Sequence, residues 1–326
     1  MSTNMKTDLY EAADARQVFA LWNTSGVKQG YVPFDFPQFE KALILHPYFN
    51  RKHAFVLKDE NKICGFVCGC EGDALPFGKE RGYFTCLLLD DPHDNREATE
   101  LLLAALENSF REAGKSCLVS NCFNPMKLPW FLPGTPKHQH NNAPGIAVDT
   151  PLFERMAGYG YQDRNRECAM YLDLDSFGGI PQRVVQLEEK AASEGYSVAW
   201  YDSRKHTGLQ EMTEATGNPM WIEEIPYAAE HINMLVALKE NRVAGFTGPV
   251  YPEESGRGYF AGIAVSPLHE KHGLGTLLFY RLCKEEKEAG SKYMSLFTGI
   301  DNHARRIYQD VGFTGKRVFS VMLKEI

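Results

Sequence analysis

A tetrapeptide that recurs at a fixed distance constrains this chain more than any other feature. Arg81-Gly82-Tyr83-Phe84 returns as Arg257-Gly258-Tyr259-Phe260, 176 residues later, and Glu112-Ala113-Gly114-Lys115 returns at the same spacing as Glu288-Ala289-Gly290-Ser291. Upstream, Leu57-Lys58-Asp59-Glu60-Asn61 before Ile63-Cys64-Gly65-Phe66 parallels Leu238-Lys239-Glu240-Asn241-Arg242 before Val243-Ala244-Gly245-Phe246. Downstream, Tyr159-Gly160-Tyr161 parallels Val311-Gly312-Phe313. Four markers in one order indicate a duplicated domain, and 326 residues suit two domains of roughly 150 each.

Each unit reads as a hairpin, a strand, a helix, a strand, a short helix and a last strand. In the second unit, Asn233–Leu238 and Val243–Val250 flank a polar turn, the signal of a hairpin. Gly258–Val265 is apolar and aromatic, and Leu274, Leu277, Leu278 and Leu282 space a helix that stops near Gly290. Tyr293–Phe297, Ala304–Val311 and Val318–Leu323 complete the unit. Mixed strands with interleaved helices predict an α/β fold class, an α+β mixed sheet in layers. Phe177-Gly178-Gly179-Ile180-Pro181, after the strand Cys168–Leu174, breaks the chain into domains 1–177 and 178–326, with Gln182–Ser193 as a linking helix. The first unit carries 24 extra residues, including Pro125, Pro129, Pro133, Pro136 and Pro144, which read as an extended loop.

A net charge of −7 and the lack of a basic stripe argue against nucleic acid as a partner. No stretch approaches the roughly 20 apolar residues that span a bilayer, so no membrane partner is expected. Met1–Asp8 lacks the apolar core of a secretion signal, and the expectation is a cytoplasmic monomer or homodimer. Cys64, Cys68 and Cys70 share parity in a strand-like run and would point to one face of a sheet as buried thiols. They have no second ligand pair at zinc-like spacing, His138-Gln139-His140 sits in a Pro- and Asn-rich loop, and no metal is expected.

Chemistry concentrates in Ile263–Leu278, where a strand ends, a loop turns, and Gly273 and Gly275 stand where a helix begins. A helix start offers unbonded amides and a partial positive charge. Glycines there let a pyrophosphate approach the backbone, with Lys271 and His272 beside it as cations or donors. The alternative is that the two glycines only permit close helix–sheet packing. Downstream lies Asp301–Phe313, with Asn302, Arg305, Tyr308, Gly312 and Phe313. Together the two segments resemble the GNAT superfamily of acetyl-CoA-dependent N-acetyltransferases: a strand ending Val-x-Pro, a Gln/Arg-x-x-Gly-x-Gly/Ala loop, then a helix closing in Gly-Phe. The resemblance covers nearly all of residues 230–326, and Glu270 departs from it, standing where the family has Gln or Arg.

The resemblance implies two tandem GNAT-like acyl-CoA N-acyltransferase folds, an arrangement of the mycothiol synthase type, with acetyl-CoA as co-substrate and no metal. By it, the backbone of Ile263, Ala264 and Val265 would bond the pantetheine arm. The amides of Lys271, His272, Gly273, Leu274, Gly275 and Thr276 would hold the pyrophosphate, and Asn302 and Arg305 would contact the coenzyme from the other side. Tyr308 would protonate the departing thiolate, a phenol of pKa about 10 facing a thiol of about 8.5. For the general base, Glu223 and Glu224 precede the hairpin and could line the acceptor cleft; the alternative is a solvated acidic pair, and His303 is a further candidate. The expected reaction moves an acetyl group to a primary amine of a small molecule. Its rivals are a non-catalytic acyl-CoA sensor and acetylation of a peptide or protein amine.

Shifted by 176, the first unit places Asp94, Glu97 and Thr99 opposite Glu270, Gly273 and Gly275. Its loop Asp90-Asp91-Pro92-His93-Asp94-Asn95-Arg96-Glu97 has acids and no glycine, and Thr150–Tyr159 lacks the Asn/Arg/Tyr pattern. The first domain is therefore expected to be a degenerate GNAT-like unit without a cofactor loop.

Overall fold

The computed structural model describes residues 5–326, which divide into two compact units. One comprises the residues through Cys168 together with Arg317–Ile326, the other Ala169–Lys316. Among the described residues no helix is long and apolar enough to cross a membrane.

The first unit contains β1 (Met5–Leu9), α1 (Ala15–Leu21), α2 (Phe36–Phe39), β2 (Ala54–Asp59), β3 (Lys62–Cys70) and β4 (Arg81–Leu89). After these come α3 (Arg96–Glu112), β5 (Cys117–Ser120), β6 (Trp130–Phe131), β7 (Gln139–His140), β8 (Ile146–Ala147), α4 (Pro151–Gly158) and the start of β9 (Gln162–Asp173). β1 to β4 are successive antiparallel neighbours, and β5 joins β4 in parallel over Arg81–Tyr83 alone. Side chains alternate along β4 on either side of a bulge at Thr85, where Gly69 pairs with Phe84 and Cys68 with Cys86. Tyr83, Cys86 and Leu88 pack with Val18, Trp22 and Phe39, whereas Phe84, Leu87 and Leu89 pack with Leu102, Leu106 and Phe110 of α3. A sheet covered on both faces explains why Ile63–Cys70 is apolar throughout.

The three cysteines of β3 do not share a face. Gly65 pairs with Leu57 and Ile63 with Lys58, so Cys64 is an extra residue in the ladder. That bulge reverses the parity: Cys64 joins the α3 side with Val67, and Cys68 and Cys70 join the Trp22 side.

The second unit holds the rest of β9, then α5 (Gln182–Ser193), β10 (Tyr196–Trp200), α6 (Leu209–Ala215), α7 (Pro219–His231), β11 (Leu235–Lys239) and β12 (Arg242–Gly248). Next are β13 (Arg257–Gly258), β14 (Gly262–Val265), α8 (Leu274–Glu288), β15 (Tyr293–Gly299), α9 (Arg305–Val311) and the first residues of β16 (Thr314–Glu325). The antiparallel order is β10-β11-β12-β14, while β13 pairs in parallel with β15, which β9 flanks. Glu240 and Asn241, both at positive φ (50° and 66°), make the two-residue turn that suits the twist of β11 and β12. α6 and α7 bury Leu209, Met212, Ile225 and Ala228 against Val236, Leu238 and Phe246. α8 packs on β11, β12 and β14 with Leu274, Leu277, Leu278 and Leu282 buried.

The units are not the halves 1–177 and 178–326. β16 gives its residues from Arg317 onward to the first unit, where Met322 pairs with Ser120 and Glu325 with Cys117. β9 gives its residues from Ala169 to the second, where Tyr171 packs on Tyr293 with ring centroids 5.8 Å apart. Each half thus supplies the other's last strand. The edges beside β5 and β15 are copies of one another, so an apolar pattern in the terminal strands does not say which edge each will take.

Candidate active site

A wedge-shaped opening begins where β13 leaves β15. Gly258 opposite Met294 is the last pair of that parallel ladder. Farther along, Gly245, Phe246 and Thr247 pair with Val265, Ala264 and Ile263, and among the described residues no strand lies on the other side of β14. Ile263, Ala264 and Val265 are half-buried. One side of the backbone at the three expected pantetheine-binding positions is therefore left open to a ligand.

α8 begins at the mouth of this opening. Lys271 (φ 66°) and Gly273 (φ 75°) both adopt the left-handed conformation, which turns the loop sharply into the helix. No side chain caps the start, and among the described residues the amides of Leu274, Gly275 and Thr276 reach no acceptor. Three such unsatisfied donors at a helix start, with its dipole, favour an anion. A Cβ on Gly275 would lie 3.4 Å from Ile307 Cδ1 and 3.9 Å from Val265 Cγ2, so at this residue α8 meets both β14 and α9. Gly273 has a separate reason: its missing side chain is where Leu187 of α5 sits.

The side chains of the loop do other work. His272 Nδ1 bonds Glu194, and its ring lies 4.7 Å from that of Tyr196, whose hydroxyl meets His269 Nδ1 at 3.0 Å. Lys271 and Glu270 are exposed. Asn302 accepts the Ala304 amide on its carboxamide oxygen at 2.9 Å, in the turn that leads into α9. Arg305 donates to the Ile300 carbonyl, while its buried Nε has no partner among the described residues.

Tyr308 extends from α9 onto Phe279 of α8, ring centroids 4.6 Å apart. It is 5% exposed, and among the described residues nothing hydrogen-bonds its hydroxyl. Burial pushes its pKa above the ordinary phenol value, so the hydroxyl keeps its proton at neutral pH.

On the α7 side the two glutamates separate. Glu223 is exposed, whereas Glu224 is half-buried and accepts a hydrogen bond from the Tyr259 hydroxyl. Trp221, one turn earlier, donates Nε1 to the Ala261 carbonyl at 2.9 Å and occupies the space a side chain on Gly262 would need. Tyr259, Tyr251 and Trp221 escaped the sequence reading. Tyr259 recurs in the repeated tetrapeptide as Tyr83, which is buried and bonded to the Pro76 carbonyl.

The first unit has the same opening, and protein fills it. Asn124 Nδ2 donates to the Phe84 carbonyl at 3.0 Å and Gln29 Nε2 to the Leu87 carbonyl at 2.9 Å, taking the open edge of β4. The extra segment closes over it, leaving about 40 Å³ lined by Tyr31, Phe84, Asn124 and Met126, too little for a coenzyme arm. Asn95 caps α3 by accepting from the Ala98 amide at 3.0 Å, and Arg155 pairs with Asp94. Two more acids of that loop are paired, Asp90 with His93 (2.6 Å) and Asp91 with Lys28 (2.6 Å).

Comparisons with known proteins bear on the fold. The acetyltransferase (GNAT) family model matches residues 186–313. Among curated proteins none matches the chain. Among solved structures, the chain is similar to a GCN5-related glucosamine N-acetyltransferase region of a fungal multi-domain GH3 β-N-acetylglucosaminidase (TM-score 0.71, 17% identity), covering 99% of this chain and 38% of that one. It is similar to a GCN5-related N-acetyltransferase from Sphaerobacter thermophilus (TM-score 0.65, 12% identity), covering 98% and 95%. A tandem GNAT protein from the clavulanic acid biosynthesis pathway also matches (TM-score 0.59, 14% identity), over 99% and 98%.

Proposed function

We propose, for a chain of two tandem GNAT-like units in which residues 186–313 form a GNAT acetyltransferase domain, that the second unit transfers an acetyl group from acetyl-CoA to a primary amine of a small molecule. One observation carries the reading. The start of α8 is uncapped beside an open edge of β14, whereas the same two features in the first unit are occupied by Asn95, Asn124 and Gln29. The first unit acts as a scaffold without a coenzyme, and the reaction takes place in the cytoplasm, where thiols such as Cys70 and Cys283 stay reduced.

In this mechanism the amides of Leu274, Gly275 and Thr276 hold the pyrophosphate, and the backbone of Ile263–Val265 aligns the thioester. Glu224 takes a proton from the incoming ammonium, leaving a lone pair that forms the C–N bond at the acetyl carbon. The C–S bond breaks, the sulfur leaves with the Tyr308 proton, and the extra proton on nitrogen returns to Tyr308 through solvent. A phenol of raised pKa is a weak acid, so Tyr308 stabilises the sulfur by hydrogen bonding and yields its proton only as charge develops there. Calorimetry should find one acetyl-CoA per chain. Two equal sites would remove the distinction between the units, and no affinity for coenzyme A would remove the function.

A further inference from the structure

At the apex of the opening stands a wall whose composition bears on the acceptor. Tyr259 follows directly on the last residue paired with β15, and its hydroxyl bonds Glu224 of α7. Tyr251 stacks on Tyr259, ring centroids 4.9 Å apart and planes 21° from parallel. The Tyr259 amide donates to the Tyr251 carbonyl at 3.0 Å, so the backbone also ties the pair together. Burial, and then the Glu224 carboxylate, push the Tyr259 hydroxyl above its ordinary range and keep it a donor. The Arg257 guanidinium lies 5.6 Å from the Tyr259 ring and is already engaged. Its Nε donates to Glu253 at 2.5 Å and its NH1 to the Ser295 carbonyl at 3.1 Å.

A carboxylate and two π faces attract an ammonium. A cation already satisfied by Glu253 offers nothing to a carboxylate, and Glu224 would repel one. We infer that Glu224, Tyr259 and Tyr251 select the acceptor, and that it is an alkylammonium compound with no carboxylate beside its reacting amine. The inference rests on the acetyl-transfer reading and narrows it: free α-amino acids are excluded, and amines of the decarboxylated type are admitted.

Matched pairs test this directly. The full chain with acetyl-CoA is assayed for thiol release with tyramine against tyrosine, tryptamine against tryptophan, agmatine against arginine and cadaverine against lysine. The expected result is a kcat/KM at least about 10-fold higher for the decarboxylated member of whichever pair reacts fastest, as the loss of one buried charge pairing implies. Tyr259→Phe should then raise the KM for that amine by about 10-fold or more while the calorimetric Kd for acetyl-CoA stays put. Preference for the carboxylated member, or an unchanged amine KM in Tyr259→Phe, overturns the inference and leaves the acetyl-transfer reading standing. No turnover with any pair, while acetyl-CoA still binds, overturns both.

Discussion

Glu286 of the second unit occupies the position that Phe110 holds in the first, 176 residues earlier. Each presses on the glycine of the repeated tetrapeptide. A Cβ on Gly82 would lie 2.4 Å from Phe110 Cδ1, and one on Gly258 would lie 2.6 Å from Glu286 Oε2. The same niche therefore accepts a ring in one copy and a carboxyl in the other. Glu286 is fully buried, accepts the Tyr251 amide at 3.1 Å and meets the Ser291 hydroxyl at 2.5 Å. Burial pushes its pKa up to about 8.

The sign of the resulting pH effect follows from linkage. In the unfolded chain this carboxyl ionises near 4.5, while in the folded chain it holds its proton to about 8. Its stabilising contribution is complete below the lower value and is lost as pH rises through the upper one. Relative to Glu286→Gln, which cannot ionise, the native protein should lose about 2–5 kcal/mol between those limits, since one pKa unit is about 1.4 kcal/mol. Denaturant titrations from pH 4 to 9 measure it. A gap independent of pH would show that Glu286 does not titrate there.

Gly275 should tolerate a methyl group and reject anything larger. Its neighbours, Ile307 and Val265, stand at ordinary contact distance from a Cβ, so Gly275→Ala should leave the acetyl-CoA Kd within about 3-fold. Gly275→Leu drives a side chain into the opening and should weaken binding by about 10-fold or more, with little change in Tm because leucine favours a helix. Equal affinity in both variants would move the coenzyme away from this helix start.

Tyr308→Phe should lower kcat by about 100-fold, the lower range for loss of a general acid. The acetyl-CoA Kd should not change, because among the described residues no group bonds the hydroxyl and Phe keeps the packing against Phe279. Unaltered turnover would pass the proton donor's role to another group.

Much of this architecture could be read from the residues. The turn chemistry at Glu240-Asn241 placed one hairpin, and the apolar spacing from Leu274 with Gly290 beyond it placed α8, observed as Leu274–Glu288. The helix Gln182–Ser193 appears with the same limits. Three features were illegible for physical reasons. Val318–Leu323 has the pattern of a closing strand but pairs with β5, because the alternation does not distinguish two equivalent edges. The bulge at Cys64 moves one thiol across the sheet, and alternation alone does not reveal an extra residue. The proline-rich insert was read as an extended loop, and the backbone bond of Asn124, which closes the first opening, has no periodic signature. At the site, the glycine-marked start of α8 was legible, while the side chains of His272 and Asn302 bond locally.

Asn95→Ala tests the claim that the first unit closes its own helix start. Loss of this cap should cost about 1 kcal/mol, a Tm fall of about 2–4 °C for a chain of this size. The stoichiometry of acetyl-CoA binding should stay at one. A second binding event in the variant would mean that capping alone had kept a ligand out.

The exchange of closing strands has a consequence for biogenesis. A ribosome that has released everything through Cys168 has not yet supplied the segment Arg317–Ile326, which lies beside β5. The earlier unit must wait, one edge bare, while a whole further domain is synthesised. Cutting the gene at the Gly178-Gly179 break would therefore separate each product from the strand it needs, and the two pieces should regain order only when mixed.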